Sequence, residues 1–269
     1  MIAMLLAAGR GERMRPLTDH TPKPLLEAGG KALIVWHIEN LVRAGIRELV
    51  INHAHLGAQI EAVLGDGSRF GAQIRYSPEG TALETAGGIA FALHLLGDQP
   101  FAVINGDIFC DYDFAQLPER AAVLQTNGDT AHLVLVNNPP QHPNGDFCLS
   151  DNRIIPPTPL PPLVMGGSCS SPDGTTSHST RLSKDDSQVA GYDKGRLGGV
   201  QVLTFSGIGI YRPGLFANIP RGSKAPLAPL LRAQIELGKI SGELHHGLWM
   251  DVGTPQRLHD LDRQISTSR

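Results

Sequence analysis

The chain has 269 residues, 41% hydrophobic and 5% aromatic, enough apolar material for a sizeable core of Leu, Val, Ile and Ala. Its formal net charge of -3 argues against nucleic-acid binding, which needs a concentrated positive face, and leaves small anions open as ligands. No stretch approaches the ~20 consecutive apolar residues of a membrane span, and Met1-Ile2-Ala3-Met4-Leu5 has no basic leader, so a soluble cytoplasmic chain without a membrane partner is expected.

Ile2 to Leu6 is a short apolar run that ends at a Gly-containing loop, the pattern of a buried strand feeding a phosphate loop. After the turn at Gly29-Gly30, Ile34, Ile38, Leu41 and Val42 recur at helical spacing, with Gly45 as a stop. Leu49 to Ile51 predicts a second buried strand, His55 to Leu64 a helix closed by Gly65-Asp66-Gly67, and Ile74 to Tyr76 a third strand. A helix over Thr85 to Leu96 precedes another strand at Phe101 to Ile104, which runs into Asn105-Gly106-Asp107. This alternation implies right-handed βαβ units and a mostly parallel sheet. In such sheets ligands gather beyond the carboxyl ends of the strands, so the loops after Leu6 and Ile104 are expected to face each other across a cleft.

His132 to Val136, Phe147 to Leu149 and Leu203 to Tyr211 read as further strands, and Ala228 to Leu237 as a helix burying Leu230, Leu231 and Ile235. Residues 151–200, rich in Pro, Ser, Gly and Asp, offer little apolar surface to offset ordering and are expected to form a mobile insertion in one domain spanning 1–269. Cys110, Cys148 and Cys169 are an odd number without metal-ligand spacing and read as free thiols. His53, His55, His142, His245 and His246 show no metal spacing and read as surface or structural residues.

The strongest chemical signal is Leu6-Ala7-Ala8-Gly9-Arg10-Gly11-Glu12-Arg13-Met14-Arg15-Pro16-Leu17-Thr18, followed by Pro22-Lys23-Pro24-Leu25. Glycines let backbone amides approach an anion. Met14 replaces the third glycine of a dinucleotide fingerprint and no Gly-Lys-Ser/Thr follows, so neither common phosphate loop is present. Arg13 can fork onto phosphate oxygens, and Lys23 can set a compact charge on an α-phosphate. Asp107 and Asp251 could each be simple turn or capping residues, but the buried strand before Asp107 and the phosphate loop favour a metal carboxylate.

These motifs resemble the nucleotide-sugar pyrophosphorylase family, whose signature is G-x-G-x-R-[ML]-x-P-L-T, then P-K-P-L, then a later G-D. The likeness runs to about residue 150 and resumes at Leu203. It is nearest to the short bacterial N-acetylmuramate 1-phosphate uridylyltransferases of peptidoglycan recycling. That nearer match is carried by Ile51-Asn52-His53-Ala54, Tyr76-Ser77-Pro78-Glu79-Gly80, Gly145-Asp146-Phe147, Thr204-Phe205-Ser206-Gly207-Ile208 and Trp249-x-Asp251-x-Gly253-Thr254. The insertion departs from the compact family pattern.

The resemblance implies an α/β, Rossmann-like, mixed and mostly parallel sheet flanked by helices, the GT-A-like nucleotidyltransferase fold. It implies transfer of UMP from UTP, or of another nucleotide from its NTP, to a sugar 1-phosphate, with release of pyrophosphate. Leu6, Ala7, Ala8, Gly9, Gly11, Arg13 and Lys23 would hold the nucleotide, with Ser77, Glu79, Gly80 and Thr85 reading base and ribose. Leu83-Glu84-Thr85-Ala86-Gly87 is similar to an L-G-T-A-G segment of relatives, with Glu84 at a glycine position. Asn105 and Asp146 would contact the sugar phosphate or sugar. Asp107 and Asp251 would hold Mg²⁺, which prefers hard oxygen ligands and commonly takes one or two carboxylates plus substrate phosphates. Arg13, Lys23 and Asp107 form the expected catalytic set. Mannose-1-phosphate guanylyltransferase, glucose-1-phosphate thymidylyltransferase and a non-catalytic sugar-nucleotide-binding subunit remain as alternatives, and the pattern specifies no oligomeric state.

Overall fold

The computed structural model describes residues 1–156, 196–197 and 200–267. In chain order the elements are β1 (Ile2–Leu6), β2 (Glu27–Ala28), β3 (Lys31–Ala32), α1 (Leu33–Arg43), β4 (Glu48–His53), α2 (Gly57–Leu64), β5 (Gln73–Pro78), α3 (Glu84–Leu96), β6 (Phe101–Asn105) and β7 (Ile108–Cys110). They continue with α4 (Leu117–Thr126), β8 (Ala131–Val136), β9 (Phe147–Ser150), β10 (Arg153–Ile155), β11 (Arg196–Leu197), β12 (Val200–Tyr211), α5 (Leu227–Glu236), β13 (Ile240–His245), β14 (Trp249–Asp251) and α6 (Pro255–Thr267).

Ten strands form one sheet in the order β5-β4-β1-β6-β12-β8-β13-β10-β9, with β11 on β12 and β12 also reaching β9. The first four strands of that order are parallel, as their alternation with helices predicts. Beyond β6 the pairing is antiparallel except for β13 beside β8, which makes the sheet mixed. Register aligns Ser77, Asn52, Leu6 and Asn105 in one row across the carboxyl ends of the parallel strands.

Both faces of the parallel strands are covered, which explains their unbroken apolar runs. Ala3, Leu5 and Ile51 cluster with Ile34, Ile38 and Leu41 of α1, whereas Met4, Val50 and Val103 cluster with Ile89 of α3 and Leu231 of α5. A third cluster joins Met14 of the first loop to Leu33, Val252, Leu261 and Ile265, so the last helix buttresses the first loop. Cys110 is a buried free thiol, Cys148 is also buried, and Cys169 lies outside the described residues.

The expected insertion starts later than its composition indicates. Asp151 and Asn152 make a turn at φ of 49° and 58°, and Arg153–Ile155 then pairs with β9 as a strand. Burial of Ile154 and a bidentate pairing of Arg153 with Asp129 hold this segment on the sheet despite its polar neighbourhood. The remainder of that expectation, 157–195 and 198–199, lies outside the described residues.

Candidate active site

The loop after β1 is fixed from beneath. The Ala7 amide donates to Asn52 Oδ1 at 2.9 Å, and Asn52 Nδ2 donates to Glu79 Oε1 at 2.6 Å. Glu79 Oε2 in turn accepts from the Leu83 amide at 2.9 Å, so one relay ties the first loop to the segment between β5 and α3. Gly11 sits at φ 67°, and a Cβ there would lie 3.0 Å from Thr18 Cγ2 and 3.2 Å from Lys23 Cβ. At Gly9, by contrast, nothing lies within 4 Å of where a Cβ would stand, leaving the loop open to a ligand.

Gly106 brings the second loop in. Its amide donates to the Leu6 carbonyl at 2.9 Å, and a Cβ would come within 2.6 Å of that oxygen. The two loops expected to face each other therefore touch. Across this junction Lys23, only 6% exposed, places Nζ 2.6 Å from Asp107 Oδ2. Pro22 and Pro24 flank Lys23 in a short 3-10 turn that aims it.

Asp107 and Asp251 meet through the small two-stranded β7/β14 sheet: the Asp107 carbonyl accepts from the Val252 amide at 2.9 Å, and Asp251 pairs with Ile108. Asp251 Oδ2 lies 2.8 Å from Arg257 Nη1. Gly253 admits two guanidinium groups beside it, because a Cβ there would lie 2.7 Å from Arg257 Nη2 and 3.0 Å from Arg13 Nη2. Two cavities share Asn105 and Asp107. One, of about 210 Å³, is lined by Leu6, Ala7, Ala8, Gly9, Lys23 and Thr85 together with Asn52, Ala82 and Glu84. The other, of about 300 Å³, is lined by Arg13, His142, Thr204, Phe205, Trp249 and Asp251.

Most expected site residues thus converge, but five stand back. Gly11 shapes the loop from behind, and Glu79 has both carboxylate oxygens engaged in the relay. Gly80 is exposed at φ 68°, and Ser77 is buried with a hydroxyl that has no partner among the described residues. Asp146 accepts from the Phe205 amide at 2.8 Å and from His142 Nε2 at 3.0 Å, behind the second cavity. Of the histidines read as structural, His53 bonds Glu61 and His245 bonds Asp111, whereas His142 lines the second cavity.

Asn52, Glu84, Thr204, Phe205, Ser206 and Trp249 were assigned no role by their residue types. The sequence signal for the last four was a Ser-Gly pair inside a strand pattern, which marks a bulge. β12 shifts register between Phe205 and Ile208; there Ser206 Oγ donates to the Val134 carbonyl at 2.7 Å and Trp249 Nε1 to the Ser206 carbonyl at 2.8 Å. Gly207, at φ 86°, leaves room for Asn105, whose Nδ2 would lie 2.8 Å from a Cβ. Glu84 adopts φ 61° at the start of α3, so a glycine-like conformation persists where the glycine does not.

A glycine loop open toward a cavity, a buried lysine at its mouth and two carboxylates at an adjacent two-stranded sheet converge on one site. The sequence profile of the nucleotidyl transferase family matches residues 2–153, and the chain belongs to that family. It is 49% identical over 261 residues to N-acetylmuramate alpha-1-phosphate uridylyltransferase of Neisseria meningitidis serogroup B, covering 97% of this chain and 96% of that one. The protein of the same description from Caulobacter vibrioides is 32% identical, over 95% and 93% of the two chains. A mannose-1-phosphate guanyltransferase of Yarrowia lipolytica is 38% identical over 44% of this chain and 34% of its own length. Among solved structures, one from Bacillus anthracis described as a glucose-1-phosphate thymidylyltransferase superposes with a TM-score of 0.69 at 18% identity, covering 98% of this chain and 95% of that one, a likeness of fold. The chain is an enzyme of nucleotidyl transfer, and no helix among its described residues is long and apolar enough to cross a membrane.

Proposed function

We propose that the enzyme transfers UMP from UTP to N-acetylmuramate 1-phosphate, giving UDP-N-acetylmuramate and pyrophosphate, in cytoplasmic recycling of cell-wall sugar. The observation that carries this reading is the Lys23–Asp107 pair where the two cavities meet, combined with end-to-end similarity to the Neisseria relative. The first cavity takes the triphosphate and nucleoside, and the second takes the sugar 1-phosphate. A phosphate oxygen of the sugar attacks the α-phosphorus in line, forming one P–O bond as the bond to the pyrophosphate oxygen breaks. With a second pKa near ~6, the attacking phosphate is largely deprotonated at neutral pH, so no residue need act as general base.

This chain's residues contribute position and charge. The amides of Ala8 and Gly9 cradle the triphosphate, Lys23 offsets charge building on the α-phosphate, and Arg13 holds phosphate oxygens beside Asp251. Asn105, seated under Gly207, orients the sugar phosphate. Asp107 and Asp251 would hold a magnesium ion, since they are hard oxygen donors on paired backbones facing one cavity. When bound, the ion neutralises charge between the two phosphates.

The reading is tested by pyrophosphate release across UTP, GTP and dTTP, each with N-acetylmuramate, N-acetylglucosamine, glucose and mannose 1-phosphates. UTP with N-acetylmuramate 1-phosphate is expected to give the highest kcat/KM, and EDTA is expected to abolish the rate. Equal efficiency with GTP and mannose 1-phosphate would overturn the substrate assignment.

A further inference from the structure

We infer that His142, held by Asp146, recognises the carboxylate of the acidic sugar, and that Asp146 selects the sugar through His142 as a positioning residue; the inference rests on N-acetylmuramate 1-phosphate as acceptor. That sugar carries a lactyl ether whose carboxylate adds a second anionic group beside the phosphate. The cavity that would receive it already presents Asp107 and Asp251. An acidic sugar therefore requires a compensating cation there. Among the described residues, two lining side chains can carry positive charge, Arg13 and His142. Arg13 lies against Gly253 beside Asp251, on the phosphate side. His142 is left for the lactyl group.

The local architecture is built to hold that ring. The His142 amide donates to the Pro139 carbonyl at 2.8 Å, closing a turn. Asn138 Nδ2 anchors the turn by donating to the carbonyls of Pro143 and Val202 at 3.2 and 3.1 Å, and Asn138 Oδ1 accepts from Thr204 Oγ1 at 2.8 Å. Gly145, at φ 63°, permits this approach, since a Cβ would stand 2.6 Å from Asn138 Oδ1. Asp146 is itself fixed by the Phe205 amide, and its other oxygen takes Nε2–H of His142. The ring therefore presents Nδ1, which as imidazolium donates a charge-assisted hydrogen bond to a carboxylate.

The test compares N-acetylmuramate 1-phosphate with N-acetylglucosamine 1-phosphate, which lacks the lactyl ether, used as substrate or, where turnover is slow, as competitive inhibitor. His142→Gln is expected to raise KM for the acidic sugar about ten- to a hundredfold, the loss of one charge-assisted bond, with kcat nearly unchanged. The constant for the sugar without the carboxylate, and KM for UTP, should move less than about threefold. Asp146→Asn should give part of the same selective loss, and the double variant should be no worse than His142→Gln alone, since both act through one contact. Equal losses for both sugars, or none for either, would overturn the inference while leaving the proposed reaction standing. Wild-type enzyme that ignores N-acetylmuramate 1-phosphate would overturn both.

Discussion

A lysine 6% exposed must have its charge answered, and Asp107 answers it before any substrate arrives. The aspartate thus orients Lys23, and in the proposed reaction it has the second task of offering oxygen to a metal. Asp107→Asn is expected to lower kcat by roughly two to three orders of magnitude, the usual cost of removing a group that stabilises transition-state charge. Stability should fall by only about 1 kcal/mol, because Asp107 is 37% exposed and asparagine keeps a side-chain oxygen that can accept from Lys23. Asp251→Asn should also lower kcat, and the double variant should lose less than the product of the two, as both serve one metal. Steady-state kinetics with a melting curve for each variant decides this; multiplicative losses would separate the two aspartates.

His37 acts on stability at the same scale. Burial lowers it to about 4, against the opposing influence of its hydrogen bond to the Ile108 carbonyl and the charge of Asp107. The unfolded chain therefore takes up a proton first as pH falls. The stability contributed by neutral His37 is full above about 6.5 and lost progressively down to about 4, by roughly 3 kcal/mol in total. Burial alone would raise Glu243, but His132 lying 3.6 Å away, the hydrogen bond from Tyr112 and the charge of Arg120 override it and hold it at about 2, so its window lies lower. Melting temperature measured from pH 7 to 4 should fall less steeply in His37→Gln than in wild type; parallel curves would rule out His37 as the source.

Among the elements, the β1 loop and the parallel strands were legible because their residues serve one purpose each. Continuous apolar runs mark strands buried on both faces, and Gly-Arg-Lys spacing marks an anion site. The two-stranded β7/β14 sheet was not legible, since three-residue strands carry too little pattern and Asp107 and Asp251 are joined by long-range pairing. α6 escaped because Leu261 and Ile265 are its only buried residues. In α4 the small Ala121 hides the stripe between Leu117 and Leu124. Glu79 was read as a base-reading residue from its place in a loop, yet it ties α3 to the phosphate loop through Asn52. Gly88 makes that relay possible, because a Cβ would lie 2.4 Å from Glu79 Oε1 and 2.9 Å from Asn52 Nδ2. Gly88→Ala is therefore expected to raise KM for UTP several-fold, although alanine favours a helix over glycine by about 1 kcal/mol. Unchanged KM with raised stability would show that the relay does not hold the loop.

At the scale of the molecule, the parallel half of the sheet lines the first cavity, proposed for the nucleotide, and β12 links it to the antiparallel half, beside which Thr204, Phe205 and His142 line the second, proposed for the sugar. The far end of that second half is tied by Arg153 of β10. Its Nη1 and Nη2 lie 2.6 and 2.9 Å from the two oxygens of Asp129, which is 3% exposed, and it also donates to the Gly238 carbonyl ahead of β13. Removing one partner of such a pair leaves a buried charge, which costs ~3–5 kcal/mol in a fully buried case and less here because the arginine is partly exposed. Arg153→Met is thus expected to destabilise by about 2 kcal/mol, lowering Tm by roughly 4–8 °C, and any replacement beginning at residue 152 should do at least as much. Neither residue lines either cavity, so KM for both substrates should stay within about twofold. Asp129→Asn added to Arg153→Met should recover part of the stability, because it removes the orphaned charge and keeps an acceptor for the Asn127 amide. Thermal melts of the two single variants and the double decide it: additive losses would mean that the ion pair is not what holds β10 to the sheet.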